Sequence, residues 1–515
     1  MRSYFNKLSI TLLTNKRLVF IVLMVMVLLD RINTFFRFSI IYTDSDQTVL
    51  WQVSKDLMNG IFHGPCFYGQ SYNPIIEPLF SLPFLLIGME YSTALPLTTI
   101  LMSNFPFVLL SIYLFRKVDP LVGTIPLIIL LLLSLEFGML TSISRGFVTG
   151  LFFAIPGFVL MAFHSTLLSR FIGGLLFGVG VYANPNCILL LPLLLSFTTS
   201  FKESFWKMFI PAILGFCIGA FLIVINAWYY NLNPDLVIHD SPSLKTSLSS
   251  FLKVIGRMDN YFDFVSPIFW RAGWLVLAIF IIVGIRTWRH GYKKNSITIF
   301  TSLIIIIASF FFSKVSDGTN SVFFSGSRIY LAYPFIIIFI LVFLIKTLNE
   351  AKKRLFYTSL ITLSLIAFTV KIVAFNMLLN RALRGSAYSV VQVIKVKELN
   401  NICENMLSFS DNKIDLVLAN SPHAQDQIIT YGCQCLIDDF PTTFQPLYER
   451  RTWLFPNTLD SIYSNILVHG KRPRSWDKIN IKNLNIVNSD TTKKWILINN
   501  NLETQDLLAT MNIMN

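Results

Sequence analysis

Residues 18–37 read LVFIVLMVMVLLDRINTFFR. A helix needs about 20 predominantly apolar residues to cross the hydrocarbon core of a bilayer, and this run has that length. Its two adjacent charges, Asp30 and Arg31, lie toward the end at which the chain would leave the membrane, where they are able to pair with each other. The run therefore predicts a first membrane span.

The composition of the whole chain indicates an integral membrane protein. Of its 515 residues, 54% are hydrophobic and 14% are charged, whereas a soluble domain has about 25% charged residues. The net charge of +14 would fit a nucleic-acid-binding protein, but Lys and Arg fall mostly in short segments between apolar runs, without a basic stripe of interleaved aromatic residues. We therefore predict the lipid bilayer as a partner and exclude nucleic acid.

Further apolar runs predict an α-helical polytopic membrane protein with about eleven transmembrane helices. After the first run they cover 93–115, 120–136, 146–163, 168–183, 186–200, 208–229, 268–285, 296–313, 329–345 and 356–376. The stretch 75–89 is too short and too interrupted by proline to span, and it predicts a helix near the membrane surface or a re-entrant segment. The chain shows no internal repeat, which disfavours a transporter built from two inverted halves.

The distribution of Lys and Arg predicts the orientation. Basic residues concentrate in alternate segments between the apolar runs, as in RTWRHGYKK at 286–294. Such segments face the cytoplasm, so the N-terminus lies inside and an odd number of spans places the C-terminus outside. The loops 38–92, 230–267 and 314–328 then face out. This multi-pass topology, without an endoplasmic-reticulum signature, suits the inner (cytoplasmic) membrane of a bacterium.

The composition changes near residue 380, which predicts a transmembrane domain over 1–379 and a small extracytoplasmic α/β domain over 380–515. Residues 395–409 have helical periodicity, and three short apolar stretches resemble buried strands. These stretches are IDLVLAN (414–420), QCLIDDF (434–440) and KKWILINN (493–500). Outside the cytoplasm a disulfide among Cys403, Cys433 and Cys435 is permitted, although spacing alone does not give the pairing.

Two carboxylates in the first outer loop are the leading candidates for chemistry. Residues 41–51 read IYTDSDQTVLW, with Asp44 and Asp46 one residue apart. From Asp46 to Gly60 the apolar residues have helical spacing, which predicts an amphipathic helix along the surface with Asp46 at its N-terminal end. Asp46 then has three interpretations: a helix N-cap, a ligand of a divalent metal together with Asp44, or the general base of an active site.

In the same loop an acidic residue opens a surface helix, a Gly follows 14 positions later, and an aromatic stretch, FYGQSY, comes after it. These features resemble the first outer loop of the GT-C glycosyltransferases, membrane enzymes that use polyprenyl-phosphate sugars and include the protein O-mannosyltransferases and the lipid A aminoarabinose transferases. The resemblance places Asp46 at the position of the general base. Gln47 replaces the acidic residue that usually follows, and Asp44 is an additional acid.

Two further windows carry the resemblance and imply substrate-binding residues. YGQSYNPIIEP (68–78) is similar to a Gly-Gln-x-Tyr stretch followed by Glu, which implies Gln70, Tyr72 and Glu77. SGSRIYLAYPF (325–335) resembles the stretch that opens a late span and implies Arg328, opposite the lipid phosphate, together with Tyr330.

The resemblance implies an inverting membrane glycosyltransferase. It would transfer a sugar from a polyprenyl-phosphate donor to a lipid, glycan or protein acceptor on the extracytoplasmic face. Asp46, or alternatively Asp44, would be the catalytic base. The prediction includes no cofactor, and a divalent metal at the two aspartates is not favoured. The alternatives are a transporter or flippase for a lipid-linked sugar, and a polymerase or ligase of the O-antigen type. A transporter would place polar or charged residues inside several spans, whereas the interiors of the runs after the first are nearly free of carboxylates.

Overall fold

The computed structural model of the protein describes residues 15–146, 148–197, 205–239, 245–262, 265, 273–313, 315, 331–386, 393–409, 413–420, 424–444, 452–454, 460–470, 485–490, 495–499 and 501–510.

The membrane part is helical, with short strands on its connecting segments. Its helices are α1 (Lys16–Thr34), α2 (Ser45–Met58), α3 (Ile76–Leu86), α4 (Tyr91–Lys117), α5 (Pro120–Gly123), α6 (Ile125–Leu132), α7 (Leu135–Leu140), α8 (Gly150–Phe163), α9 (Leu167–Ala183), α10 (Leu191–Phe197), α11 (Phe205–Leu232), α12 (Leu248–Gly256), α13 (Met258–Phe262), α14 (Gly273–Arg289), α15 (Lys293–Ser309), α16 (Tyr333–Lys346), α17 (Glu350–Val373) and α18 (Phe375–Ser386). The strands of this part are β1 (Tyr42–Asp44), β2 (Gly69–Gln70) and β3 (Val237–His239).

The remaining elements follow residue 392. The helices are α19 (Val396–Leu407), α20 (Ala424–Leu436) and α21 (Thr504–Thr510). The strands are β4 (Val393–Lys395), β5 (Leu416–Asn420), β6 (Thr442–Phe444), β7 (Asn465–Gly470), β8 (Asn485–Asp490) and β9 (Trp495–Asn499).

Helix α1 has the two faces of a span at the edge of a bundle. Asn15 caps it by accepting a hydrogen bond from the Leu18 N–H at 3.2 Å, and a π-helical turn, Phe35–Ser39, continues it. One face buries Leu23 and Val27 in the helical core, whereas the opposite face leaves large apolar side chains exposed. Exposed apolar side chains over so long a helix are expected where lipid, rather than water, is the solvent.

Four helical segments of the described chain are long and apolar enough to cross a membrane by themselves. They are Lys16–Ser39, Tyr91–Lys117, Phe209–Leu232 and Glu350–Val373. The other apolar helices are shorter, and some contain a proline, such as Pro83 in α3 and Pro156 in α8; α5 and α6 divide the run predicted over 120–136. The membrane-type helical fold agrees with the prediction, whereas the number of eleven spans stays a prediction.

A buried group of charges lies inside this bundle. The pair of Asp30 and Arg31 is present, with 3.2 Å between Asp30 Oδ2 and Arg31 Nη2. Lys371 of α17, which the sequence analysis did not single out, adds its Nζ at 3.3 Å from the same oxygen. All three side chains are buried, and the cations also reach the Leu130 carbonyl oxygen. The group joins α1, α6 and α17.

Segments that were predicted to face the same side meet in the structure. At one end, β1 pairs antiparallel with β4, and β2 pairs parallel with β3, so the first outer loop contacts both the 230–267 loop and the C-terminal part. At the other end, Lys16 Nζ lies 3.1 Å from Asp119 Oδ2, and Arg286 Nε donates to Thr347 Oγ1 at 2.8 Å. These contacts agree with the predicted alternation of loops.

The C-terminal part contains a five-stranded sheet in the order β6-β5-β7-β9-β8. Strands β6, β5 and β7 are mutually parallel, and β9 runs antiparallel to both of its neighbours. The predicted strands over 414–420 and 493–500 are confirmed as β5 and β9, and the helical periodicity of 395–409 as α19. The strand predicted over 434–440 is wrong, because its first residues form the last turn of α20.

The difference arises because the window contains the end of a helix. Gln434 to Leu436 complete α20, and a run of three apolar residues, CLI at 435–437, does not by itself distinguish the end of a helix from a short strand. The permitted disulfide forms between Cys403 of α19 and Cys433 of α20, and Cys435 remains free. The pair therefore cross-links two helices beside the sheet.

Candidate active site

Asp44 caps helix α2. Residue 44 has extended backbone angles, and its Oδ1 accepts a hydrogen bond from the Gln47 N–H at 2.8 Å. The interpretation of Asp46 as the N-cap is therefore wrong, since Asp46 lies in the first helical turn. At the other end Gly60 adopts a φ of +73°, the left-handed conformation that commonly terminates a helix. The 14-residue step from Asp46 to Gly60 thus reflects the length of α2.

Arg145 lies between the two aspartates. Its Nη2 forms a short ion pair with Asp44 Oδ2, and its Nη1 lies 3.7 Å from Asp46 Oδ2. The side chains of Asp44 and Arg145 are 0% and 2% exposed, whereas that of Asp46 is 36% exposed. The structure therefore separates two acids that are equivalent in sequence: one is enclosed and paired, and the other opens to the exterior.

The electrostatics of Asp44 follow from this enclosure. Burial raises the pKa of the Asp44 carboxyl, because a charge is disfavoured in a medium of low polarity. The Arg145 guanidinium and the Gln47 N–H favour the carboxylate and oppose that shift in pKa, whereas the Asp46 charge adds to it. Asp44 and Arg145 consequently form a unit in which removal of either partner leaves the other uncompensated.

The loop that carries Arg145 connects the acids to the surrounding helices. The Ser144 N–H donates to Gln47 Oε1 at 3.3 Å, and the Ser144 and Thr99 hydroxyl groups lie 2.6 Å apart. Gln47 also donates through Nε2 to Thr43 Oγ1 at 3.2 Å. Gln47, which replaces the second acid of the GT-C pattern, therefore ties α2 to this loop and is fully buried.

Glu77, predicted to bind substrate, holds the same loop. Its carboxyl is buried and accepts the Arg145 N–H at 3.4 Å and the Gly146 N–H at 2.6 Å. Burial raises the pKa of Glu77 to about 7, and the two backbone N–H groups oppose the shift. Helix α3 has 11 residues, about 16 Å, which is too short to cross the membrane and agrees with the predicted surface or re-entrant position. The geometry gives Glu77 a supporting position; its contact with substrate stays a prediction.

Gln70 and Tyr72 lie on the neighbouring loop and are both half-buried. Gln70 belongs to β2 and accepts a hydrogen bond from Asn73 Nδ2 at 3.0 Å. Asn73 has a left-handed φ of +62° and packs on Gly146, where an added Cβ would lie 3.0 Å from Asn73 Cβ. Asn73 therefore links Gln70 to the loop of Arg145, Tyr72 directly precedes Asn73 in the chain, and the binding role of Gln70 and Tyr72 stays a prediction. Arg328 and Tyr330 lie outside the described residues.

Arg145 is the residue that sequence reasoning missed. It is the only Lys or Arg between Lys117 and Arg170, and the predicted topology places it at an outer end of two apolar runs. A solitary arginine on the side that is poor in basic residues was the available signal. Its partner Asp44 is 101 positions away in sequence, so no local pattern could have joined the two.

A second polar group on α2 also escaped the sequence analysis. Asp56 Oδ2 accepts a hydrogen bond from the Tyr68 hydroxyl at 2.8 Å, Oδ1 accepts from Gln52 Nε2 at 2.9 Å, and His63 Nε2 lies 3.8 Å away. Burial raises the pKa of Asp56. The Asp56 oxygens are thus occupied by their neighbours, and the group fastens the 61–68 loop to α2.

The contacts of Asp44 affect the interpretation in which Asp44 and Asp46 hold a divalent metal. Both oxygens of Asp44 are already engaged, one with Gln47 and one with Arg145. A divalent ion shared by the two aspartates would have to share Asp44 with the Arg145 guanidinium, which already supplies the compensating positive charge. Metal independence stays a prediction that chelation can test.

No family model matches the chain, and no curated protein matches it. Among solved structures the chain is similar to the crystal structure of ArnT from Cupriavidus metallidurans in the apo state. The TM-score is 0.55 and the sequence identity 10%, with 96% of this chain and 98% of that chain covered. An identity this low shows the fold alone, and the chain accordingly has an ArnT-like membrane-protein fold.

Proposed function

We propose that the protein is an inverting membrane glycosyltransferase that takes its sugar from a polyprenyl-phosphate donor. The observation that carries the proposal is the difference in exposure between the two acids within a GT-C-like fold. Asp46 is open and held beside Arg145, whereas Asp44 is enclosed. The fold supports a membrane transferase, and the site supports a carboxylate that can accept a proton at its surface.

Asp46 is the proposed general base. An acceptor hydroxyl group gives its proton to the Asp46 carboxylate as its oxygen attacks the anomeric carbon. The bond between that carbon and the phosphate oxygen breaks, and polyprenyl phosphate leaves with the electron pair. A single displacement of this kind inverts the anomeric configuration. Arg145 keeps Asp46 oriented without covering it, since their nearest charged atoms are 3.7 Å apart.

The leaving phosphate requires positive charge, because charge develops on it in the transition state. Arg145 is already compensated by Asp44. We assign the phosphate to Arg328 and Tyr330, and the sugar and acceptor to Gln70 and Tyr72. The lipid chain of the donor lies in the bilayer beside the exposed apolar helices.

The proposed location is the extracytoplasmic face of a bacterial inner membrane. The Cys403–Cys433 disulfide supports this side, because disulfides persist in oxidising compartments. The outer-loop strands β1 and β2 pair with segments predicted to lie on that same side. The active site and the C-terminal part would therefore share one compartment.

The deciding experiment is Asp46→Asn, assayed in membranes supplied with a radiolabelled polyprenyl-phosphate sugar. Loss of the base should lower the transfer rate by about 10²–10⁴-fold. Asp235→Asn, at an exposed position in the 230–267 loop, is the matched control and should keep wild-type transfer. Wild-type transfer by Asp46→Asn would remove Asp46 as the base.

Arg328→Ala tests the donor contact. We expect a raised KM for the lipid donor with a smaller change in the KM for the acceptor. A donor KM that does not change would leave Arg328 as a membrane anchor.

Addition of a chelator should leave transfer unchanged, and a loss that Mg²⁺ or Mn²⁺ restores would show that a divalent metal takes part.

A further inference from the structure

The strand that ends at Asp44 is held by the C-terminal part of the chain. Thr43 of β1 lies opposite Ile394 of β4, and the Val396 N–H donates to the Ile41 carbonyl oxygen at 2.8 Å. β4 continues directly into α19, because Val396 is the first residue of that helix. A shift of α19 is therefore transmitted to the backbone that precedes Asp44.

Helix α2, which begins after Asp44, is covered by α20. Gly432 is the point of close approach: a Cβ there would lie 3.3 Å from Thr48 Cγ2 on α2 and 2.6 Å from Leu399 Cδ2 on α19. Toward the other end of α2, Lys55 Nζ donates to the Gln434 carbonyl oxygen. α20 thus contacts α2 near its first turns and again near its last.

The disulfide joins the two helices that make these contacts. Cys403 lies on α19 and Cys433 on α20, next to Gly432, and both sulfur-bearing residues are fully buried. The bond thereby completes a closed series of contacts: β1 pairs with β4, β4 continues into α19, the disulfide joins α19 to α20, and α20 packs on α2. Asp44 and Asp46 lie at the junction of β1 and α2, between these contacts.

We propose, building on the function proposed above, that the Cys403–Cys433 disulfide is a positioning element of the active site. It fixes α20 against α19, and these two helices hold β1 and the first turn of α2 from two sides. Asp44 then stays on Arg145, and Asp46 stays at the opening. Without the bond, the membrane part keeps its fold, but Asp46 is presented in a wider range of orientations.

Activity then depends on the oxidation of the Cys403 and Cys433 thiols. Formation of the bond removes two protons and two electrons from the two thiols, and an oxidant that contains a disulfide accepts them as it becomes two thiols. The newly inserted chain, with both thiols reduced, is therefore expected to have low activity until this exchange has taken place.

Backbone hydrogen exchange tests positioning independently of glycosyl transfer. The full chain in detergent is compared with the double variant Cys403→Ala/Cys433→Ala and with Cys435→Ala, a matched control on the same helix outside the disulfide. We expect exchange over 42–48 to rise about tenfold in the double variant alone, with α8 unchanged. Unchanged exchange over 42–48, or an equal rise throughout the chain, would overturn the proposal.

The kinetics of sugar transfer by the same variants give a second test. The double variant should show a kcat at least about tenfold lower, equivalent to about 1.4 kcal/mol, with an unchanged donor KM, and Cys435→Ala should behave as wild type. Faster exchange over 42–48 with an unaltered kcat would refute a positioning role. If wild type transfers no sugar while the exchange pattern holds, the proposed function fails and the structural coupling stands.

A reversible form of the experiment guards against poor folding of the double variant. Wild type is reduced with a phosphine and then reoxidised with oxidised glutathione in the same preparation. Exchange over 42–48 should rise on reduction and return on reoxidation, and kcat should follow it. A kcat that does not respond while mass spectrometry shows the bond reduced would contradict the proposal.

Discussion

The substitution Asp44→Asn should damage the fold more than Asp46→Asn, although the two residues are neighbours in sequence and identical in type. Asp44 is 0% exposed and paired with Arg145, which is 2% exposed. Asparagine preserves the shape of the side chain and caps helices as well as aspartate does, so the cap itself contributes little to the loss. The change that matters is the removal of the negative charge from a buried ion pair.

The magnitude follows from that pair. Removal of one partner from a buried ion pair costs about 3–5 kcal/mol, because the remaining charge is left uncompensated. Arg145 retains Asp46 at 3.7 Å, which places Asp44→Asn at the lower end, about 3 kcal/mol. Asp46→Asn removes a charge that is 36% exposed, and we expect a change within about 1 kcal/mol.

The assay is denaturant or thermal unfolding of the purified variants in one detergent. Asp44→Asn should show a clear loss in the free energy of unfolding, and Asp46→Asn should resemble wild type. The double variant Asp44→Asn/Arg145→Met should recover part of the loss, because no buried charge is then left alone. Equal stability of the two single variants, or no recovery in the double variant, would refute the assignment of Asp44 and Arg145 as a buried pair.

Three further outcomes follow from the structure. The folded chain holds the Glu77 proton more tightly than the unfolded chain, so stability should fall as pH rises from about 4.5 to about 7 and stay reduced above that. This loss, about 3 kcal/mol, should be absent in Glu77→Gln, and pH-dependent unfolding of both proteins checks it. Gly60→Ala should lower the free energy of unfolding by about 1 kcal/mol, since φ there is +73° and nothing crowds the site, and an unchanged unfolding midpoint would contradict it. Asp30→Asn should destabilise the bundle by about 3 kcal/mol in the same unfolding assay, because it leaves two buried cations, Arg31 and Lys371, without their carboxylate, whereas Asp235→Asn, at an exposed position, should not.

The sequence was sufficient for features that depend on local pattern. Long apolar runs identified the helical membrane part, and the period of residues 395–409 identified α19. The predicted position in the first outer loop and the helical spacing that follows also singled out the segment that contains both aspartates. In each of these cases the signal lies within a window of some twenty residues, which is the range over which burial of a helix face or a span imposes a pattern.

The features that sequence could not supply depend on contacts between distant segments. The N-cap interpretation of Asp46 rested on the apolar spacing that begins there, but β1, which pairs with β4, ends at Asp44, and α2 begins at Ser45. Arg145 reaches Asp44 across 101 positions, and Lys371 reaches Asp30 across 341. The polar contacts that define a site inside a bundle leave no trace in local periodicity.

The pairing of β1 with β4 also constrains the order of folding during synthesis. The two strands are about 350 residues apart, so translation at about 5–20 residues per second separates their appearance by about 20–70 s. During that interval β1 is an unpaired strand edge beside the membrane, available to any extended peptide in the same compartment. The acids would be fixed last, after every span has been inserted, and a nascent chain arrested before residue 393 would have a complete α1 but no partner for the strand that presents Asp44.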